Sequence, residues 1–99
     1  MMKNNEENKE LFYRAILTLR TVEECKNFFD DAFTIQETEA IAQRFRVACC
    51  LCDGKSYIDT NAETSASTAT ICRVSKCLNY GNGGYKLAID RLAEEENSK

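Results

Sequence analysis

Between Ser65 and Lys76 the chain sets small hydroxyl side chains ahead of two cations: Ser67, Thr68 and Thr70, with Ala69 among them, then Arg73 and Lys76. Arg73 and Lys76 are three residues apart and would share one face of a helix. This order of residue types suits contact with a nucleic-acid duplex. A helix that enters a major groove brings its first turns close to base edges and phosphates, which favours small hydrogen-bonding groups there and cations about a turn later. Ile71, Val74 and Leu78 recur at spacings of three and four, which gives the same segment an opposite apolar stripe. A helix with two such faces can be anchored in a core while it touches a duplex. On this reading Ser67, Thr68, Ala69 and Thr70 meet bases or phosphates. Arg73, Lys76 and Lys55, with Arg44 and Arg46, neutralise phosphate charge.

Other chemistries find less support. Six cysteines stand at positions 25, 49, 50, 52, 72 and 77, and no histidine occurs. The tightest group, Cys49-Cys50-x-Cys52, lies in a helical pattern, where neighbours one and two apart diverge and cannot converge on one ion. No metal site or cofactor is expected, and the charged start from Met1 to Glu10 lacks the apolar segment of a secretion signal, so disulfides are not expected either. The cysteines read as small packing residues in a reducing compartment. Oxidation of Cys72 beside Arg73 is a minor alternative. Catalysis is not expected: the Gly81-x-Gly-Gly segment follows a helix rather than a strand, and no nucleophile has an evident base.

The elements that position these residues are helices throughout. Ninety-nine residues without proline, and with four glycines all between Gly54 and Gly84, leave long uninterrupted helical patterns. We expect a single all-α domain over 1–99 with about six helices. Residues 1–8 form a polar, flexible tail. Leu11, Phe12, Ala15, Ile16 and Leu19 trace a first helix. Thr21 with Glu24 opens a second, bearing Val22, Cys25, Phe28, Phe29 and Ala32, and Thr34 with Glu37 opens a third. The third carries Ile41, Phe45, Ala48, Cys49 and Cys52 until Gly54 stops it. Ser56 with Asp59 opens a fourth, and Ser65 or Ser67 a fifth, so that 56–79 outlines a helix-turn-helix. A sixth runs from about Tyr85 to Glu94. No apolar run reaches the roughly 18 to 20 residues that span a membrane, and a cytoplasmic location is expected.

A net charge of −3 is unusual for a nucleic-acid binder until it is resolved along the chain. Residues 1–40 carry 5 basic and 9 acidic groups, 41–86 carry 6 and 3, and 87–99 carry 2 and 4. Binding responds to the field within about a Debye length, roughly 8 to 10 Å, so a basic middle can bind while acidic ends face away. Affinity should be moderate and strongly salt-dependent.

The run Ala66-Ser67-Thr68-Ala69-Thr70-Ile71, then Arg73-Val74, Cys77-Leu78-Asn79-Tyr80-Gly81 and Gly83-Gly84-Tyr85, resembles the Trp repressor superfamily in its short YerC/YecD-type branch. Thr34-Ile35-Gln36-Glu37, Ala42-Gln43-Arg44, Val47-Ala48 and Gly54-Lys55 extend the likeness over roughly Leu11 to Leu92. The resemblance implies an all-helical, intertwined homodimer that binds a palindromic double-stranded operator as a transcriptional regulator, most simply a repressor. It makes Phe12, Ile16, Phe28, Phe29 and Phe33 candidates for the dimer interface. It also implies an effector pocket around Arg44, Arg73 and Val74. Where the Trp repressor has glycine after its second arginine, this chain has Val74, whose branched side chain would fill the space an indole needs. Tryptophan is therefore not expected as co-repressor, and no other effector can be read. The family pattern also places an apolar residue and alanine where Thr60 and Asn61 stand, and glycine where Ser65 stands. These changes should cost the turn on the order of 1 kcal/mol unless Asn61 finds a hydrogen bond, with Ile58 and Ala62 as a compensating apolar stripe. They leave a second reading open, a helical dimer whose altered motif binds another protein.

Overall fold

The computed structural model describes residues 4–98, and among these the chain forms six α-helices and no strand. They are α1 (Asn5–Ile16), α2 (Val22–Ala32), α3 (Ile35–Cys52), α4 (Tyr57–Thr64), α5 (Thr68–Tyr80) and α6 (Gly84–Asn97). The contacts divide the chain into two compact units, Met1–Thr38 and Glu39–Lys99.

Side-chain caps set most helix starts, as the hydroxyl and carboxylate spacing predicts. Thr34 and Glu37 form a reciprocal box: the Glu37 N–H donates to Thr34 Oγ1 at 3.1 Å and the Thr34 N–H to Glu37 Oε1 at 2.9 Å. At α2 the Glu24 N–H donates to Thr21 Oγ1, while the Glu24 carboxylate reaches one residue further back, to the Arg20 N–H. Ser56 and Ser67 cap α4 and α5 through the N–H groups of Asp59 and Thr70. Gly54, at φ 82, ends α3: its N–H bonds to the Leu51 carbonyl, and the Lys55 N–H bonds to that of Cys50. Glycine adopts this left-handed turn without steric cost.

In the first unit α1 begins earlier than expected. Asn4 Oδ1 accepts from the Glu7 N–H at 2.8 Å, so residues 5–8, read from the sequence as part of a flexible tail, are helical; residues 1–3 lie outside the described residues. Phe12 stacks on Phe28 with ring centroids 5.9 Å apart, and Phe29 lies parallel to Phe33 at 4.9 Å. With Ile16 these rings are half-buried, and α1 and α2 contain no fully buried residue.

The second unit holds the core. Val47 and Ala48 of α3, Ala66 of the turn, and Ile71 and Val74 of α5 are fully buried together, with Leu51, Leu78, Tyr85 and Ile89 half-buried around them. Of the stripe expected on α3, Ala48 is buried and Phe45 and Cys49 are half-buried, whereas Ile41 and Cys52 are exposed and Val47 and Cys50 are buried beside it. The cysteines follow suit. Cys50 packs as expected and Cys49 in part, but Cys25, Cys52, Cys72 and Cys77 are exposed.

Candidate nucleic-acid interface

Helix α5 has the two faces its sequence implies. Ile71 and Val74 sink into the core and Leu78 is half-buried, while Thr68, Ala69, Cys72, Arg73 and Lys76 are exposed. Neither Arg73 nor Lys76 pairs with a carboxylate among the described residues, so both charges are available to an anion. The hydroxyls divide. Ser67 Oγ accepts from the Thr70 N–H and donates to Thr70 Oγ1, both at 3.1 Å, so these two groups bond each other at the cap. The outward surface is then the Thr68 hydroxyl, the Ala69 methyl, the Cys72 thiol and the two cations. Cys72 belongs to this surface by its spacing, four after Thr68 and four before Lys76.

What aims α5 is its junction with α4, which packs against it across Ser65, Ala66 and Ser67. Ser65 is left-handed at φ 61, a conformation that is costly for a residue bearing a Cβ. Its neighbours supply the bonds that hold it there. Asn61 Nδ2 donates to the Ala66 carbonyl at 2.7 Å, and the Ser65 N–H bonds to the Asn61 carbonyl at 2.8 Å. Thr64 Oγ1 donates to the Thr60 carbonyl and accepts from the Ala66 N–H, and Gln43 Nε2 ties the Thr64 carbonyl to α3. Asn61 does find its hydrogen bond, and polar side chains thus stand where a glycine turn would need none. The compensating stripe, by contrast, is absent. Ile58 is 82% exposed and Ala62 is exposed; the buried residue of α4 is Thr60, whose Oγ1 has no hydrogen-bond partner among the described residues. An eight-residue helix with one buried position sets its inward face by geometry, and here that face carries 60 and 64.

Lys55 is placed differently from Arg73. Its Nζ pairs with Glu63 Oε2, Arg46 Nη2 pairs with Glu63 Oε1 at 3.0 Å, and the buried Cys50 thiol donates to Glu63 Oε2 at 2.9 Å. The Cys50 and Lys55 bonds hold the Glu63 carboxyl down to about 2. Burial and the adjacent carboxylate push the Cys50 thiol up, so it stays a protonated donor. Sequence reasoning missed Glu63 because its partners lie 8, 13 and 17 residues away. One local signal existed: a carboxylate in the last turn of a helix opposes the macrodipole and calls for a compensating cation.

The three effector candidates differ in placement. Val74 is 1% exposed in the core, Arg44 is half-buried and Arg73 is exposed. A cavity of about 480 Å³ lies between Phe45, Leu78, Tyr85 and the Gly81–Gly84 loop, lined by none of the three.

Two helices joined through a three-residue turn, with the second helix exposing cations and burying an aliphatic stripe, define a helix-turn-helix protein. The chain belongs to the Trp repressor family, whose model, described as Trp repressor protein, matches residues 7–93. It is 51% identical over 90 residues to the uncharacterized protein YerC of Bacillus subtilis (strain 168), covering 89% of this chain and 86% of that one. Among solved structures, a TrpR-like protein from Eubacterium eligens ATCC 27750 superposes with a TM-score of 0.85 at 43% identity, covering 91% of this chain and 96% of its own. A putative Trp repressor from Staphylococcus aureus gives 0.83 at 42% identity, covering 91% and 89%. These likenesses place the chain in the YerC-type branch of a family of DNA-binding regulators rather than enzymes. No helix among the described residues is long and apolar enough to cross a membrane.

Proposed function

We propose that this protein is a sequence-specific transcriptional regulator, a repressor, that binds a palindromic operator as a homodimer and acts in the cytoplasm. The observation that carries the reading is the outward face of α5, where Arg73 and Lys76 are exposed and unpaired among the described residues beside Thr68 and Ala69 while the opposite face is locked into the core. Two copies would set their α5 helices in successive major grooves, with half-sites about 10 base pairs apart. Thr68, Ala69 and Cys72 meet base edges, Ser67 and Thr70 fix the helix start against phosphate, and Arg73 and Lys76 neutralise phosphates. The half-buried rings of Phe12, Phe28, Phe29 and Phe33, with Ile16, support pairing with a second copy, because α1 and α2 complete no buried core within one chain. Val74 occupies the position at which an indole would enter, so tryptophan is not the co-repressor.

Replacing Arg73 and Lys76 together with alanine tests the assignment. Duplex binding should be lost while the dimer persists in sedimentation; full affinity in that variant would refute it. The pairing of Lys55 and Arg46 with Glu63 and the exposed Ile58 favour a second reading, a helical dimer whose motif binds another protein. That reading predicts no retention of duplex even at low salt.

A further inference from the structure

We propose that Glu63 is an internal competitor for DNA phosphate: by holding Lys55 and Arg46 it limits the non-specific, salt-driven part of duplex binding and leaves recognition to the outward face of α5. The inference rests on the DNA-binding reading above and concerns a residue that reading does not use.

Three charges and a thiol meet at this point. Glu63 Oε1 takes Arg46 Nη2 at 3.0 Å, Oε2 takes Lys55 Nζ, and the Cys50 thiol donates to Oε2 at 2.9 Å. The carboxylate is thereby occupied on both oxygens and anchored to a buried residue of α3, whereas its cations are not buried. The Arg46 and Lys55 side chains keep 60% and 40% of their exposure, against 31% for Glu63. Both cations thus remain within reach of solvent, and a phosphate would have to displace the anchored carboxylate to engage either of them. Glu63 stands in the last turn of α4, two residues before the left-handed Ser65. Its negative charge therefore sits beside the turn that aims α5, on the very motif that would approach a polyanion. The cluster carries a net charge of +1 rather than the +2 that Lys55 and Arg46 would present alone. A lower general attraction to phosphate weakens binding at every sequence by a similar factor, so Glu63 lowers non-specific affinity while the ratio between sites stays with the base contacts.

The test compares salt slopes for wild type, Glu63→Gln, Lys55→Gln and the double variant on one duplex of random sequence and, once selected, on the preferred site. Glutamine keeps an acceptor for Cys50, and thermal melting checks that each variant is folded. Each additional phosphate neutralised steepens the slope of log affinity against log salt by about 0.9. Glu63→Gln should therefore bind random and preferred duplexes more tightly at low salt by similar factors, and lose roughly threefold more affinity than wild type between 50 and 200 mM salt for each cation released. Lys55→Gln alone should leave the wild-type slope nearly unchanged, and the double variant should bring the Glu63→Gln slope back toward it. An unchanged slope in folded Glu63→Gln, or a slope flattened by nearly one unit in Lys55→Gln, would overturn the proposal while leaving the DNA-binding reading intact. Absence of salt-dependent binding by wild type would overturn both.

Discussion

Thr60 and Ser65 show how much of this motif is decided by single side chains. The Thr60 hydroxyl is fully buried with no partner among the described residues, and an unsatisfied buried hydroxyl costs free energy that an isosteric methyl does not. Thr60→Val should raise the unfolding free energy by about 1 kcal/mol, read from urea denaturation; a loss of stability would mean that the hydroxyl is satisfied after all. Ser65 was legible in the sequence as a departure from a glycine turn, and its positive φ of 61 matches that expectation. The buried status of Thr60 was not legible. Helical periodicity pointed to Ile58 and Ala62 because they are apolar, yet the inward face of a two-turn helix follows from the direction in which the core lies, and that direction selects 60 and 64.

At the scale of elements, the α4–α5 junction is held by polar side chains rather than by close backbone approach. Asn61→Ala removes the Nδ2 bond to the Ala66 carbonyl and leaves that carbonyl without it, which should cost about 1–2 kcal/mol and weaken duplex binding by loosening the aim of α5. Equal stability of Asn61→Ala and wild type in denaturant would contradict the role given to that bond. The strut from α4 to α3 predicts an acid dependence. Glu63 has a folded value of about 2 against an ordinary 4.5, because the Cys50 thiol, the Lys55 ammonium and Arg46 favour its charged form. A carboxyl with a depressed folded value contributes its stability above the unfolded value, and the contribution is lost as pH falls through the folded one. Stability should therefore decline between about pH 4.5 and 2, and Glu63→Gln should show less of that decline; identical pH profiles would exclude Glu63 as its source. Caps and helix order were legible here because hydroxyl-x-x-carboxylate spacing is local, as at Thr34 and Glu37. The Glu63 network was not, since it joins residues brought together only by packing.

For the molecule as a whole, the contrast between its units is the main clue to assembly. Glu39–Lys99 contains the fully buried cluster, whereas in Met1–Thr38 the aromatic rings pack on one another half-exposed, with Leu17 83% and Val22 87% accessible. A small chain gains much by covering such surface with a second copy. Placing a charge in the ring cluster, Phe29→Asp, should convert a dimer into a monomer or an unfolded chain, with sedimentation and circular dichroism separating the two; an unaltered dimer would move the interface elsewhere. The resemblance carried this expectation, because hydrophobic periodicity identifies Phe12 or Phe28 as apolar faces without saying whose core they enter. Charge distribution, by contrast, was readable from sequence, since an excess of cations over residues 41–86 survives folding as exposed Arg73 and Lys76.

The central claim is that the outward face of α5 reads duplex DNA. It is tested most directly by titrating wild type and the Arg73→Ala/Lys76→Ala variant against a pool of random duplexes at several salt concentrations, while sequencing what is retained. Wild type should enrich a palindrome with half-sites about 10 base pairs apart and bind with an affinity that falls steeply with salt, and the double variant should lose both. No retention by wild type near 50 mM salt, where phosphate contacts are strong, would contradict it.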